Sequence, residues 1–422
     1  MAEYEAYKDS GFEWLGNIPV SWPIVLLSQI VTQVKNKNSD LREQNLLSLS
    51  YGRIKRKPID TNGGLLPESF DGYNVIESND IVLRLTDLQN DHRSLRVGLA
   101  TERGIITSAY TTMRPRNSES AKYLYYLLHT FDIRKGFYGM GSGVRQGLNY
   151  DEVKKLKLPL PTLVEQESIA TYLDRETERI EAIIAEVKAS IEEYKAWKAS
   201  IIYEAVTKGL NPNVELMDSG FEWLGKIPVS WTMVLLSQVV AQVKHKNSEL
   251  KEQNLLSLSY GRIKRKPIDT SGGLLPESFD GYNIIEANDI VLRLTDLQND
   301  HKSLRVGLAT ERGIITSAYT TMRPRNPESA KYLYYLLHTF DVCKGFYGMG
   351  SGVRQGLNYD EVKKLKLPMP TLTEQIEIGR MLDTKSSQID SLIAEKEALV
   401  KELEAYKKSI VFETVTGKRK VV

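Results

Sequence analysis

The chain of 422 residues states nearly one sequence twice. Asp9-Ser-Gly-Phe-Glu-Trp-Leu-Gly returns as Asp218-Ser-Gly-Phe-Glu-Trp-Leu-Gly, and the offset of 209 holds to the far end: Trp22 answers Trp231, Tyr51 answers Tyr260, Arg145 answers Arg354 and Ser200 answers Ser409. Residues 9–163 and 218–372 differ at 16 of 155 positions, mostly mildly, as in Ile30/Val239 and Arg93/Lys302. A period this long is not that of a solenoid, whose repeats recur at roughly 20–50 residues. Each copy is long enough to bury its own core. Two near-identical modules present two near-identical surfaces, which suggests a partner that is itself duplicated. DNA carrying an inverted repeat is the commonest such partner.

Each copy changes character at a proline-marked segment, Pro159-Leu-Pro-Thr-Leu and Pro368-Met-Pro-Thr-Leu, where proline ends the preceding structure and holds the chain extended. Residues 164–208 then contain no Gly or Pro and are rich in Ala, Glu and Lys, all good helix formers. Thr162 with Glu165, and Thr371 with Glu374, have the spacing of a capping box. Apolar residues follow at heptad spacing: Ile180, Ile184, Val187, Ile191, Tyr194 and Ile201, and in the second copy Ile389, Ile393, Val400, Leu403 and Ile410. Lys198, Lys396 and Lys407 interrupt the stripe. Such spacing predicts two coiled-coil helices, each about 60 Å long, pairing antiparallel along this seam. The organisation read from the sequence is a first module over 1–160, a spacer helix within 161–210, a second module over 211–369 and a second spacer helix within 370–422.

Charge separates along the same boundaries. Residues 9–160 carry 20 Lys+Arg against 16 Asp+Glu, whereas residues 164–208 carry 6 against 10; the second copy repeats the contrast. The whole-chain charge of +2 hides it. Basic modules on acidic helices suit modules that touch nucleic acid and helices that touch protein. No apolar run approaches the ~18 residues of a membrane span, and the N-terminus lacks a secretion pattern. The single Cys343 supports neither a disulfide framework nor a zinc site, so a reducing cytoplasm is the natural compartment.

The modules read as mixed α/β. Residues 46–51, 80–85, 97–101 and 106–113 have strand patterns, 118–131 reads as a capped helix and 150–155 as a short helical turn. Three stretches are candidates for DNA contact. Tyr51-Gly-Arg-Ile-Lys-Arg-Lys-Pro sets Arg53, Lys55, Arg56 and Lys57, and in the second copy Arg262, Lys264, Arg265 and Lys266, to neutralise phosphates or read guanine; a solvated hairpin end is the alternative. Leu88-Gln-Asn-Asp-His-Arg-Ser offers Gln89, Asn90, His92 and Arg93, and then Gln298, Asn299, His301 and Lys302, as base-edge partners, or else a polar turn. Gly136-Phe-Tyr-Gly-Met-Gly-Ser-Gly-Val-Arg-Gln-Gly permits close backbone approach, with Ser142, Arg145, Gln146, Ser351, Arg354 and Gln355 as contacts, or else a flexible lead into the next turn. Lys35 and Lys244 complete the basic set.

Catalytic signatures are missing: no Walker loop, no His-Glu-x-x-His, no Asn/Asp-Pro-Pro-aromatic motif, and no expected metal ligands. His129 is most simply a packing residue, and Trp14, Trp22, Trp223 and Trp231 read as packing anchors. A DNA-binding enzyme with an unrecognised nuclease or methyltransferase site, or a coiled-coil protein scaffold, stay open as alternatives.

Asp9-Ser-Gly-Phe-Glu-Trp-Leu-Gly-Asn-Ile-Pro-Val-Ser-Trp resembles the segment opening the target-recognition domains of type I restriction-modification specificity subunits. Gly141-Ser-Gly-Val-Arg-Gln-Gly-Leu-Asn and Leu156-Lys-Leu-Pro-Leu-Pro-Thr-Leu-Val-Glu-Gln-Glu-Ser-Ile resemble the segments closing them. Both signatures occur twice. The resemblance implies two mixed α/β target-recognition domains held apart by two long antiparallel coiled-coil helices with pseudo-twofold symmetry, each domain reading half of a split site in double-stranded DNA. It implies a non-catalytic subunit without a cofactor of its own, bound by two methyltransferase subunits using S-adenosylmethionine and two ATP- and Mg-dependent restriction subunits. In that family the two domains usually differ. Here they are near copies, so the expected target is an interrupted palindrome with half-site centres about 10 bp apart.

Overall fold

A computed structural model describes residues 4–58, 67, 69–140, 147–267, 276, 278–297, 299–300, 302–349 and 356–421. The chain forms two compact units: Met1–Val187 with Ala398–Val422, and Lys188–Glu397. Each unit thus holds one module, the first part of the helix that follows it and the last part of the other long helix.

In unit 1 the module is built on a four-stranded antiparallel sheet in the order Val31–Gln33, Thr111–Pro115, Ile81–Leu83, Val97–Leu99. Leu47–Ser50 and Arg53–Arg56 form a hairpin. Its two-residue turn, Tyr51-Gly52, has φ of +47° and +77°, the left-handed pair that lets a short turn match strand twist. Asn74–Ile76 pairs with Gly104–Ile106, and Ile24–Leu26 with Lys157–Pro159. The strand expected over 106–113 is therefore two strands, Gly104–Ile106 and Thr111–Pro115. Its apolar and β-branched run continues through the turn at 107–110, so periodicity alone did not show the break.

The helix expected over 118–131 is Ala121–Ile133, preceded by a 3-10 turn at Ser118–Ser120. Asn117 caps that turn by accepting from the Glu119 amide. Leu124, Leu127, Leu128 and Phe131 pack with Trp22, Met113 and Phe137 in the main core, each fully buried aliphatic side chain contributing about 1.5–3 kcal/mol. Trp22 is wholly buried and its indole N–H donates to Glu165 at 3.3 Å, as befits a packing anchor.

The long helices span Leu163–Lys208 and Leu372–Val415. Thr162 and Glu165 form the full capping box, with Thr162 N–H donating to Glu165 at 3.1 Å and Glu165 N–H to Thr162 Oγ1 at 3.3 Å. At the second helix only half of it forms. Glu374 N–H reaches Thr371 Oγ1 at 3.4 Å, while its carboxylate accepts the Trp231 indole N–H at 3.1 Å.

Within unit 1 the helix segments run antiparallel. Ile180 and Ile184 share a core with Leu403 and Ile410, and Lys407 donates to Glu181. Unit 2 repeats the pattern, with Lys198 on Asp390 at 2.8 Å and Lys396 over the Tyr194 ring at 5.5 Å. The lysines that interrupt the heptad stripe are thus where charge crosses between helices. Ile180, Ile191, Ile389, Val400 and Ile410 are buried, while Ile184, Val187, Tyr194, Ile201, Ile393 and Leu403 are half-buried. Beside the half-buried Ile201, Ile202 is buried in the core of the second module with Leu224 and Trp231. Val206 and Val415 make equivalent seats: the buried hydroxyl of Tyr332 donates to Val206 O, and that of Tyr123 to Val415 O, each at 3.3 Å.

Candidate DNA interface

The turn after Ile81–Leu83 carries Gln89, Asn90, His92 and Arg93, all exposed, on a frame anchored by buried Leu88. What shapes this turn is Arg96, a fully buried arginine in the next strand run. Its guanidinium donates to the carbonyls of Arg84 at 3.1 Å, Thr86 at 2.7 Å, Asp87 at 3.2 Å and Asp91 at 2.5 Å, and to the Tyr138 hydroxyl at 3.1 Å. Its backbone N–H donates to Asp132 at 2.6 Å. Burial pushes the Asp132 carboxyl up to about 6 despite that bond. Asp91 lies at about 2, held down by donors from Ser94.

Tyr138 belongs to the glycine-rich segment after the module helix. Its hydroxyl donates to Asp91 O at 3.2 Å and its ring stacks on His92 at 5.2 Å. Leu148 N–H donates to Leu85 O at 2.9 Å on the far side of that segment. The turn and the described start of the glycine-rich segment, Gly136–Gly139, therefore pack together although His92 and Tyr138 lie 46 residues apart. His92 is engaged in the stack, and Asn90 donates to Asp87 at 2.9 Å. Gln89 and Arg93 are exposed. Ser142, Arg145, Gln146, Gln298, His301, Ser351, Arg354 and Gln355 lie outside the described residues.

The third stretch behaves differently. Arg53 pairs with Glu181 of the first long helix at 2.7 Å, and Arg56 clasps Glu102 at 2.8–2.9 Å. In unit 2 Arg262 pairs with Asp390 at 3.1 Å and Arg265 with Glu311 at 2.9 Å. Among the described residues Lys55, Lys57, Lys264 and Lys266 make no ion pair. Along the strand Arg53, Lys55 and Lys57 share one face and Arg56 lies on the other, where its guanidinium fork fits the Glu102 carboxylate.

Lys35 is exposed beside the turn Tyr150–Val153, where Lys154 donates to Asp151 and, with Lys35 and Lys155 adding to the field, holds that carboxyl below its usual range. Lys244 lines a cleft of about 570 Å³ with His245, Lys246 and Arg312. His129 is half-buried. Its Nδ1 has no partner among the described residues, and burial, with Lys407 nearby, holds it neutral with a pKa of about 4. Among the described residues no group of His, Cys, Asp and Glu could hold a metal ion, and no helix is long and apolar enough to cross a membrane.

Sequence reading missed Arg96, Arg305 and Tyr138. The available signal was an arginine inside the otherwise apolar run Leu95-Arg-Val-Gly-Leu-Ala. Arg134, which the second copy replaces with Cys343, serves the joint between module and helix. Its guanidinium sits over the Phe412 ring of the second long helix at 3.7 Å.

The model of the type I restriction modification DNA specificity domain matches residues 25–193. Two curated proteins of Methanocaldococcus jannaschii are similar along their length. A putative type I restriction enzyme MjaX specificity subunit is 26% identical, covering 98% of each chain. The type I restriction enzyme MjaVIII specificity subunit is 23% identical, covering 98% of this chain and 97% of its own. Among solved structures, a chain from work on complex assembly and conformational transition of the type I R-M system superposes with a TM-score of 0.66 at 15% identity, covering 94% of this chain and 98% of that one. The HsdS subunit from Thermoanaerobacter tengcongensis superposes at 0.50 and 14%, covering 95% and 98%. With the domain model on the first module, a near copy of that module 209 residues on, and full-length relatives across both, the chain belongs to the type I restriction-modification DNA specificity subunits.

Proposed function

We propose that this specificity subunit reads a bipartite target in double-stranded DNA, one half-site per module, and that the target is an interrupted palindrome. The observation that carries the reading is that the same arginine lock occurs twice: Arg305 holds the carbonyls before it and the Tyr347 hydroxyl with the same bonds that Arg96 makes around Tyr138. Identical readers on antiparallel helices read one half-site and its reverse complement. Gln89, Asn90 and Arg93 with their partners are the base-edge candidates. Lys35, Lys55, Lys57, Lys244, Lys264 and Lys266 supply phosphate contacts, which fix register without carrying sequence information.

The chain performs no chemistry of its own in this reading. Methyltransferase subunits with S-adenosylmethionine, and restriction subunits with ATP and Mg, act on the DNA it selects, two of each, in the cytoplasm. The deciding experiment is single-molecule methylome sequencing of cells carrying this protein with its methyltransferase. A methylated motif of one half-site and its reverse complement around unspecified bases is the expected result. Two unrelated half-sites, or a direct repeat, would refute a shared code in twofold arrangement. Methyl transfer or cleavage by the isolated chain would refute the division of labour.

A further inference from the structure

We infer that Arg96 and Arg305 are positioning residues for base recognition, each locking the turn before it to a short helical turn distant in sequence, Gly136–Gly139 or Gly345–Gly348, through Tyr138 or Tyr347. The inference rests on the proposed reading that this turn meets DNA.

A guanidinium has five N–H groups in a fixed planar fork. In unit 1 they face five acceptors: four main-chain carbonyls between Arg84 and Asp91, and the Tyr138 hydroxyl. Arg305 makes the same set, to Arg293 at 3.2 Å, Thr295 at 2.7 Å, Asp296 at 3.2 Å, Asp300 at 2.5 Å and Tyr347 at 3.1 Å.

The consequence is directional. When a turn's carbonyls converge on a buried cation, its side chains are left to face outward. Gln89 and Arg93 are exposed for this reason. A hydrogen-bond code read in the major groove tolerates little positional error. A turn free to move would keep its affinity for phosphates and lose its discrimination between bases.

Tyr138 extends the lock. It accepts from Arg96, donates to Asp91 O and stacks on His92, so the segment carrying it moves with the turn. Lysine cannot replace the arginine. It keeps the charge, but one nitrogen with three donors cannot span carbonyls on both arms of the turn and reach the tyrosine.

The duplication supplies an internal control. Arg96→Lys is introduced alone in the full chain, then Arg305→Lys alone, and each variant is put through binding-site selection on randomised duplex DNA. The expected result for either variant is a selected motif with one intact half and one relaxed half. Discrimination against base changes should fall about tenfold or more in the relaxed half, the loss of a bidentate pair, with affinity for unrelated DNA within about twofold of the parent, since phosphate binding carries no sequence information. A motif intact in both halves, from a protein whose amide exchange matches the parent, overturns the inference and leaves Arg96 a purely structural residue.

Should Arg96→Lys fail to fold, Tyr138→Phe decides. It removes only the hydroxyl that accepts from Arg96 and donates to Asp91 O, and a relaxed half is again expected; an unchanged motif overturns the inference. Gln89→Ala with Asn90→Ala separates this failure from failure of the underlying reading. If that variant alters the motif while both lock variants do not, the positioning role alone falls. If it alters nothing, the turn does not read bases, and the inference falls with that premise.

Discussion

The two units share the arginine lock of their exposed turns and differ at their helix seats. The turn at 84–94 and its counterpart at 293–303 keep the same arginine lock, and only Arg93/Lys302 changes between them. At the joint between module and helix the partners change together. Unit 1 sets Arg134 over Phe412 at 3.7 Å. Unit 2 has Cys343 and Tyr203 at the equivalent positions, and Tyr203 donates its hydroxyl to Leu224 O at 3.1 Å instead. Glu181 in the first seam becomes Asp390 in the second, and the hairpin arginine stands 2.7 Å from the glutamate but 3.1 Å from the shorter aspartate. The turns match each other between the units, whereas each joint has only to match itself.

The comparison is most easily broken in the seam. Ile410 is 1% exposed, while its counterpart Ile201 is half-buried. Ile410→Asp should cost about 3 kcal/mol or more, the penalty of removing a buried aliphatic and leaving an unpaired charge in its place. Amide exchange should show weakened protection in unit 1, with a smaller change in unit 2 for Ile201→Asp. Equal changes would show that the two seams carry the same load.

The Arg134 stack is worth less. Arg134→Cys should destabilise unit 1 by about 0.5–1 kcal/mol, as expected of a cation–π contact at an exposed site. Its DNA motif should not change. A shifted motif would place Arg134 on the DNA surface.

Within the basic hairpin, lysine and arginine are to be separated. Lys55→Ala with Lys264→Ala should shallow the log-affinity against log-salt slope by about one unit for each phosphate no longer neutralised. Arg56→Ala with Arg265→Ala should change it less, because Glu102 and Glu311 already neutralise those arginines. Equal slopes would mean that the arginines leave their carboxylates on binding.

The smallest effect is with pH, since two groups oppose each other in unit 1. His129 titrates near 4 when folded, below its unfolded value of about 6.5. The unfolded chain therefore binds the extra proton between those values, and stability falls as pH drops through that window. Asp132 titrates near 6 when folded, above its unfolded value of about 3.9, so the folded chain binds the extra proton and stability rises as pH falls through 6. His129→Gln should leave the aspartate unopposed, and the melting temperature should rise on acidification from about pH 7 to about pH 5. Asp132→Asn should give the reverse. Identical pH profiles for both variants would remove these groups from the balance.

Much of the architecture was legible because it is local. Helix formers without Gly or Pro across 164–208 specify a long helix whatever surrounds it. The Thr162–Glu165 box marks its start, and heptad spacing marks its apolar stripe. The 209-residue repeat by itself determines two near-equal modules. Other features depend on residues distant in sequence. The stripe shows which face of a helix is apolar, but not that its last turn would seat Val206 under Tyr332 or Val415 under Tyr123. Composition shows that Arg53 to Lys57 are basic, but not that the arginines would meet Glu181 and Glu102. His92 could be singled out along the chain, whereas Tyr138 could not. Only the tertiary structure stacks the two rings, because a buried guanidinium must satisfy its donors, and in this fold the acceptors it reaches belong to both segments.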